Sequence, residues 1–206
     1  SMALSRIVEE DPTLQFSRDS NTSESLITGL GDTQIDVALE KIKRKFGADL
    51  RVKMPKVPYK ETITKVTNSE YRHKKQSGGA GQFADIEYTI EPLEAGEGFV
   101  FESKVTGGNV PREFFPAIEK GFKQSGMSGV LAGYPMLDYK VTLTDGSSHA
   151  VDSSAVAFQI AAQAGYRQSI PKAGPQLLEP MMLVNVFCPN DKVGDVIGDL
   201  NSRRGM

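Results

Sequence analysis

The feature that most constrains the fold of this chain is the stretch at residues 144–170. It reads Thr-Asp-Gly-Ser-Ser-His-Ala-Val-Asp-Ser-Ser and continues as an alanine-rich apolar segment. Asp145-Gly146 favours a hairpin turn, because glycine tolerates the positive φ that twist-matched turns need. Asp152 or Ser153 is then placed to cap a helix. The stretch therefore predicts a strand, a tight turn, a second strand and a helix.

The helix predicted after this loop has one apolar stripe. It is formed by five residues at helical spacing, Val156, Ala157, Ile160, Ala161 and Ala164. Such a helix has a face to bury, so it can hold the preceding polar loop in place. That loop leaves the imidazole of His149 at an exposed tip, and exposed polar loops on packed scaffolds often carry binding function.

The first part of the chain, residues 1–57, has the pattern of most of a small α/β sandwich. A helix ends before Pro12, strands are predicted at 13–18 and 25–28, and a closing strand is predicted at 52–57. Between the strands lies a helix capped by Asp32 or Thr33, with an apolar stripe and Gly47 at its C-terminal end. The pattern lacks a first strand.

Residues 58–175 form a second predicted unit, and residues 176–206 a third. In the second unit the polar segment 72–81 separates predicted strands at 61–66 and 83–90, and further strands are predicted at 99–105 and 136–143. A helix with Pro111 in its first turn ends near Gly126, with an apolar face of Phe114, Phe115, Ile118 and Phe122. The third unit has only a strand at 182–187 and one helix, which cannot bury a core.

Charge and cysteine content narrow the possible partners and compartment. The formal net charge is only −2, yet residues 41–75 hold 12 of the 24 basic residues. A local basic zone suits contact with phosphates, although a solvated surface is an equal alternative. The one cysteine, Cys188, lies in an apolar run and cannot form an internal disulfide, which favours a reducing compartment. With no membrane span or signal peptide in the sequence, a cytoplasmic protein is expected.

The glycine-rich loop at residues 77–81 satisfies a loose dinucleotide-binding pattern, but its context is wrong. A strand should precede it and a helix follow, and there is no Gly-Lys-Ser/Thr motif in the sequence. Two interpretations stay open: a loop that approaches a nucleic-acid backbone closely, and a hairpin tip without a ligand.

The loop around His149 also contains the residue types of a hydrolase. His149, Asp152 and Ser153 crowd one turn, whereas catalytic triads converge from distant parts of a chain. A small hydrolase is therefore a remote alternative, and a purely structural role for His149 is another. No metal site is expected, because the two histidines are not at ligand spacing.

Several long motifs occur in one order along nearly the whole chain. They are Gln-Ser-Gly-Gly-x-Gly-Gln from residue 76, Pro-Ala-Ile-Glu-Lys-Gly from residue 116, Ser-Gly-Val-Leu-Ala-Gly-Tyr-Pro from residue 128, Asp-Gly-Ser-x-His-x-Val-Asp-Ser-Ser from residue 145, Leu-Glu-Pro from residue 178 and Gly-Asp-Val-Ile-Gly-Asp-Leu-Asn-Ser-Arg-Arg-Gly from residue 194. With these motifs the chain resembles the C-terminal half of translation elongation factor G. Residues 1–57 resemble part of its third domain, 58–175 its fourth domain and 176–206 the start of its fifth.

The resemblance implies an α+β chain of tandem small α/β sandwiches. The central one would be an elongated arm with a mixed β-sheet and two packed helices, which enters the decoding region of the small ribosomal subunit during translocation. The tip residues that would contact RNA are Gln76, Ser77, Gly78, Gly79, Gly81, Ser147, Ser148 and His149, and the supporting basic residues are Arg72, Lys74 and Lys75. The implied partners are the ribosome, tRNA and mRNA, bound by a monomer.

The resemblance also implies that GTP and Mg²⁺ belong to a domain outside these residues. The chain itself would then hold no cofactor and would not hydrolyse GTP. It departs from the family pattern at Gln34, where a histidine is usual, at Ala80, where an arginine is common, and at Phe83-Ala84-Asp85, where Tyr-Gly-His is usual. A related factor acting in ribosome recycling or in ribosome protection is therefore the main alternative.

Overall fold

The chain has the predicted α+β class, and its described residues form three small sheets. The computed structural model describes residues 2–19, 22–76 and 81–205. The helices are α1 (Met2–Glu10), α2 (Asp32–Phe46), α3 (Phe115–Gly126), α4 (Ala155–Ser169) and α5 (Val193–Ser202). The strands are β1 (Gln15–Arg18), β2 (Ser25–Thr28), β3 (Lys60–Ile63), β4 (Thr67–Lys75), β5 (Gln82–Pro92), β6 (Phe99–Ser103), β7 (Tyr139–Ser147) and β8 (Pro175–Leu178). Among the described residues, no helix has both the length and the apolar composition needed to cross a bilayer.

The N-terminal unit packs α1 and α2 around a small core of Ile7, Leu14, Ala38 and Ile42. The antiparallel pair β1–β2 lies where two strands were predicted. Gly47 ends α2 with a φ of 63°, in agreement with its predicted position.

The predicted N-terminal cap of α2 was wrong. Gly31 is the cap residue, and neither Asp32 nor Thr33 caps the helix. The side chain of Gln34 instead reaches back and accepts the backbone N–H of Leu30 at 2.7 Å. Its amide nitrogen donates to Asp11 at 2.9 Å. Gln34 is thus a structural link between the start of α2 and the end of α1.

Two predicted strands are not formed within the described residues. Residues 52–57 have no regular secondary structure and pair with no described strand, although the Lys56 N–H donates to Glu24 at 3.0 Å. Residues 182–187 are likewise unpaired, and Leu183 and Phe187 are 91% and 97% exposed. An alternating apolar pattern becomes a strand only when a neighbouring strand accepts its hydrogen bonds and another layer covers its apolar face.

The central unit is built on a four-stranded mixed sheet of order β4-β5-β7-β6. All neighbours are antiparallel except β6 and β7, which run parallel because α3 connects them. Helices α3 and α4 pack together and contribute to its core, where Phe122 lies edge-on to Tyr88 at 4.9 Å and Phe158 stacks on Phe114 at 4.7 Å. The predicted apolar face of α3 is confirmed.

The predicted stripe on α4 was only half right. Val156 is 61% exposed, whereas Phe158 and Tyr166, outside the stripe, are buried with Ala157 and Ala161. The sheet and α3 both contact this helix. Its buried face is therefore wider than the predicted stripe and lies at a different angle around the helix. Small residues allow that contact, since a Cβ on Gly121 would lie 2.7 Å from the Ala162 Cβ.

Asp145-Gly146 lies inside β7 and does not form the predicted hairpin turn. Leu143 pairs with Tyr88 and Asp145 pairs with Glu87, so one extra residue is inserted in β7 as a β-bulge. A Cβ on Gly146 would overlap the carbonyl oxygen of Asp85 on β5. Glycine is needed here because two strands approach closely. The neighbouring sequence does not show whether a glycine serves such an approach or a turn.

Glu61 anchors the loop that follows α3. Its side chain is completely buried on β3. The carboxylate accepts three backbone N–H groups, from Leu131, Ala132 and Tyr134, at 2.9, 2.9 and 3.1 Å. β3 also pairs with β8, so the first and last strands of the central unit lie together. Glu61 therefore fixes the loop to the point where the unit closes.

Candidate nucleic-acid interface

Two loops leave the central sheet at the same end. Lys75 at the end of β4 pairs with Gln82 at the start of β5, and Ser147 at the end of β7 pairs with Asp85. The first loop contains Gln76 and Gly81, while Ser77, Gly78 and Gly79 lie outside the described residues. We call the described residues 76, 81–83 and 147–153 the tip. The structure places the predicted site residues Gln76, Gly81, Ser147, Ser148 and His149 in this region.

The two loops are joined by hydrogen bonds. The Phe83 N–H donates to the carbonyl of Asp152 at 2.8 Å. The Ser153 hydroxyl donates to the carbonyl of Phe83 at 2.8 Å and accepts the backbone N–H of His149 at 2.8 Å. A Cβ on Gly81 would lie 2.8 Å from the carboxyl carbon of Asp152. The tip is therefore one connected unit, and Gly81 allows its loops to touch.

His149 is exposed, as predicted, with 56% of its side chain accessible. Its ring lies 6.3 Å from the Phe83 ring. Nδ1 accepts the backbone N–H of Asp152 at 3.2 Å and that of Val151 at 3.4 Å. Because a backbone N–H can only donate, these bonds favour the neutral tautomer with its proton on Nε2. In this tautomer, Nε2 is the hydrogen-bond donor of the ring.

The side chains of the two serines before His149 are fixed by hydrogen bonds to other parts of the central unit. Ser147 Oγ donates to Asp85 Oδ2 at 3.1 Å, and Ser148 Oγ donates to the carbonyl of Asn109 at 3.1 Å. The Asn109 amide also donates to Asp145 at 3.0 Å. This bond, followed by the N–H of Gly146, lowers the pKa of the Asp145 carboxyl. Asn109 and Asp85 were not predicted as site residues. Strand register places Asp85 opposite Ser147, and the loop before α3 brings Asn109 to Ser148.

Arg72 is not a free cation behind the tip. It lies in β4, which continues through residues 72–75 where a polar loop was predicted. Its Nε and Nη2 donate to Asp85 Oδ2 at 3.1 and 2.8 Å. The hydrogen bond to Asp85, with the charge of that carboxylate, raises the pKa of the Arg72 guanidinium. Asp85 thus links β4, β5 and β7 and offsets the charge of Arg72.

Lys74 and Lys75 differ from Arg72. Both side chains are exposed, and neither has an ion pair with another described residue. Elsewhere the basic zone at 41–75 is partly neutralised, since Lys45 contacts Glu10 at 2.6 Å and Lys53 contacts Glu24 at 2.9 Å. These two lysines at the end of β4 therefore supply unpaired positive charge next to Gln76.

The tip geometry does not support the hydrolase alternative. His149 Nδ1 lies 3.5 Å from Asp152 Oδ2, but it already accepts backbone N–H groups and has no proton to donate to Asp152 in the favoured tautomer. The Ser153 hydroxyl donates to the Phe83 carbonyl and is not directed to an imidazole base. A base–nucleophile hydrogen bond, which such chemistry requires, is not formed among these residues.

Comparison with known families gives three matches, which follow one another along the chain as the three predicted units do. "Elongation factor G, domain IV" matches residues 55–174, "Elongation Factor G, domain III" matches 1–54 and "Elongation factor G C-terminus" matches 176–206. The chain is 59% identical to elongation factor G 1 of Synechocystis sp. and 58% identical to elongation factor G 1 of Methylococcus capsulatus, in each case over 205 residues. All of this chain is covered, but only 30% of each relative.

A solved structure agrees with these matches. A crystal structure of a Thermus thermophilus protein superposes with a TM-score of 0.83 and 39% identity, over 98% of this chain and 30% of the other. Fold and sequence together define a segment of the translation elongation factor class. The chain belongs to the elongation factor G family and corresponds to segments of its third and fourth domains and its C-terminal region. It spans about 30% of the length of the curated relatives that it matches.

Proposed function

We propose that this chain is the ribosome-binding part of a GTP-hydrolysing elongation factor that promotes translocation of tRNA and mRNA. In this proposal the tip enters the decoding region of the small ribosomal subunit. The observation that carries the proposal is the connected two-loop tip, which holds His149 exposed at the end of the sheet. GTP and Mg²⁺ would bind in a part of the factor outside these residues, and the factor would act as a cytoplasmic monomer.

The chemistry of the tip suits RNA of any sequence. The minor groove of an RNA duplex is wide and presents 2′-hydroxyl groups, which a donor such as His149 Nε2 can contact without reading the bases. Short serine side chains and Gly81 keep the surface of the tip small. A factor that moves every codon needs this independence of sequence, and polar tip groups with two neighbouring lysines are suited to it.

A first prediction concerns His149 itself. In a toe-print assay on pre-translocation ribosomes, the full-length factor carrying this chain should advance the mRNA by one codon in the presence of GTP. His149→Ala should slow that step roughly tenfold, because one hydrogen bond to RNA of about 1–1.5 kcal/mol is lost. Lys172→Ala, an exposed position outside the tip, is the control and should leave the rate unchanged.

The same assay separates the alternatives. Absence of any advance by the unmodified factor would exclude translocation as its activity. The next measurement would then be subunit splitting with recycling factor, which tests the recycling alternative directly.

A second prediction concerns the unpaired lysines. Replacing Lys74 and Lys75 together by alanine should weaken ribosome binding. It should also make the negative slope of log affinity against log salt shallower by about 1 to 2, since each lost phosphate contact reduces the magnitude of the slope by somewhat less than one. Lys120→Ala with Lys123→Ala removes the same charge from exposed positions on α3 and should change the slope little. Equal changes in both double variants would mean that only total charge matters.

A further inference from the structure

Ser153 makes an arrangement of hydrogen bonds that helix capping does not explain. Ser154 caps α4 by accepting the N–H of Ala157 at 3.2 Å, so the neighbouring serine is not needed for that task. The Ser153 hydroxyl instead bridges two backbones: it accepts from the His149 N–H and donates to the Phe83 carbonyl, both at 2.8 Å. One hydroxyl therefore acts as both donor and acceptor and connects the two loops.

This bridge fixes the segment that carries the imidazole. The His149 carbonyl accepts the Ser153 N–H at 3.1 Å, so residues 149–153 close into a turn from both directions. The turn brings the N–H groups of Val151 and Asp152 to His149 Nδ1. Within the described residues, the hydrogen bonds between this turn and β5 are the backbone bond from Phe83 to Asp152 and the side-chain bond from Ser153.

We propose that Ser153 is the positioning residue for His149, holding the imidazole in the orientation in which Nε2 contacts RNA. The inference rests on the proposed function of the tip. Ser153 does not itself contact RNA in this scheme: it acts through the main chain of His149 and through Phe83. Removing its hydroxyl leaves the His149 N–H and the Phe83 carbonyl without their partner, and the turn is no longer tied to β5 on that side.

The first readout follows the hydrogen bond itself. Hydrogen exchange of the His149 amide, measured in the full-length factor, should be several-fold faster in Ser153→Ala than in the unmodified protein. Ser153→Thr keeps the hydroxyl and should retain most of the protection. Ser154→Ala, which removes the helix cap, is the matched serine control and should leave exchange at His149 nearly unchanged.

The second readout is a double-mutant cycle on the rate of translocation. Ser153→Ala should slow the step about fivefold, the equivalent of about 1 kcal/mol, and Ser153→Thr should restore most of the rate. If Ser153 acts through His149, adding Ser153→Ala to His149→Ala should cause no further loss. A general loss of structure would slow both backgrounds alike.

The outcomes separate the inference from the proposed function. A normal rate for Ser153→Ala beside a slow His149→Ala would overturn the positioning role alone. Full additivity in the cycle, or failure of threonine to rescue, would overturn it as well. A normal rate for His149→Ala would overturn the proposed role of the tip, and the positioning role with it.

Discussion

Replacing Glu61 by alanine should destabilise the central unit by about 3 kcal/mol or more. Three backbone N–H groups of the loop after α3 lose their shared acceptor, and a hydrogen bond to a charged group contributes about 1.5–3 kcal/mol. The loss is a large part of the total stability of a small domain. Unfolding of the chain in guanidinium chloride should show a lower midpoint at an unchanged slope.

Two variants control this measurement. Glu61→Gln keeps one oxygen acceptor but places an NH₂ group against at least one N–H, so an intermediate loss is expected. Glu119→Ala removes a carboxylate from an exposed position on α3 and should change the midpoint little. A loss for Glu61→Ala no greater than for Glu119→Ala would show that the loop does not depend on the buried carboxylate.

Gly146→Ala should cost about 3 kcal/mol and also slow translocation. The added Cβ would overlap the carbonyl oxygen of Asp85 and approach Val110 Cγ2 at 2.8 Å, so β5 and β7 must move apart. That movement occurs next to Ser147 and disturbs its bond to Asp85. Denaturant unfolding gives the first quantity, and the toe-print assay gives the second.

The control for Gly146→Ala is Gly198→Ala on α5. A Cβ there meets nothing within 4 Å, and alanine is the better helix former by about 1 kcal/mol. No loss of stability is expected. A neutral Gly146→Ala would mean that the β-bulge tolerates a side chain and that the strands are less tightly paired than the structure shows.

The apolar pattern predicted the buried face of α3 correctly, since Ile118 and Phe122 were expected to be buried and are completely so. The same kind of pattern was misleading for α4, where the Val156 stripe was preferred over Phe158. That helix contacts both α3 and the sheet. The apolar pattern of one segment does not show where two neighbouring elements will lie around it.

The candidate site divides in the same way. His149 was predicted to be exposed because it follows a polar turn, and it is. Its partner Ser153 was taken for a helix cap, which Ser154 provides instead. Arg72 was predicted to be a supporting basic residue of the tip, but strand pairing places it opposite Asp85, which offsets its charge. Which residue faces another across a sheet depends on register, and register is set by the complete sheet and its bulge.

The family, the α+β class, most helices and the exposed histidine could be predicted before any contact was known. These depend on motifs, apolar periodicity and glycine positions, which are properties of short segments. Three roles became visible only in the packed fold: Gly146 is a point of strand contact, Glu61 holds a distant loop and Ser153 joins two loops. Each of these roles is a contact between residues far apart in the chain or a consequence of one, and such contacts form only when the whole unit packs.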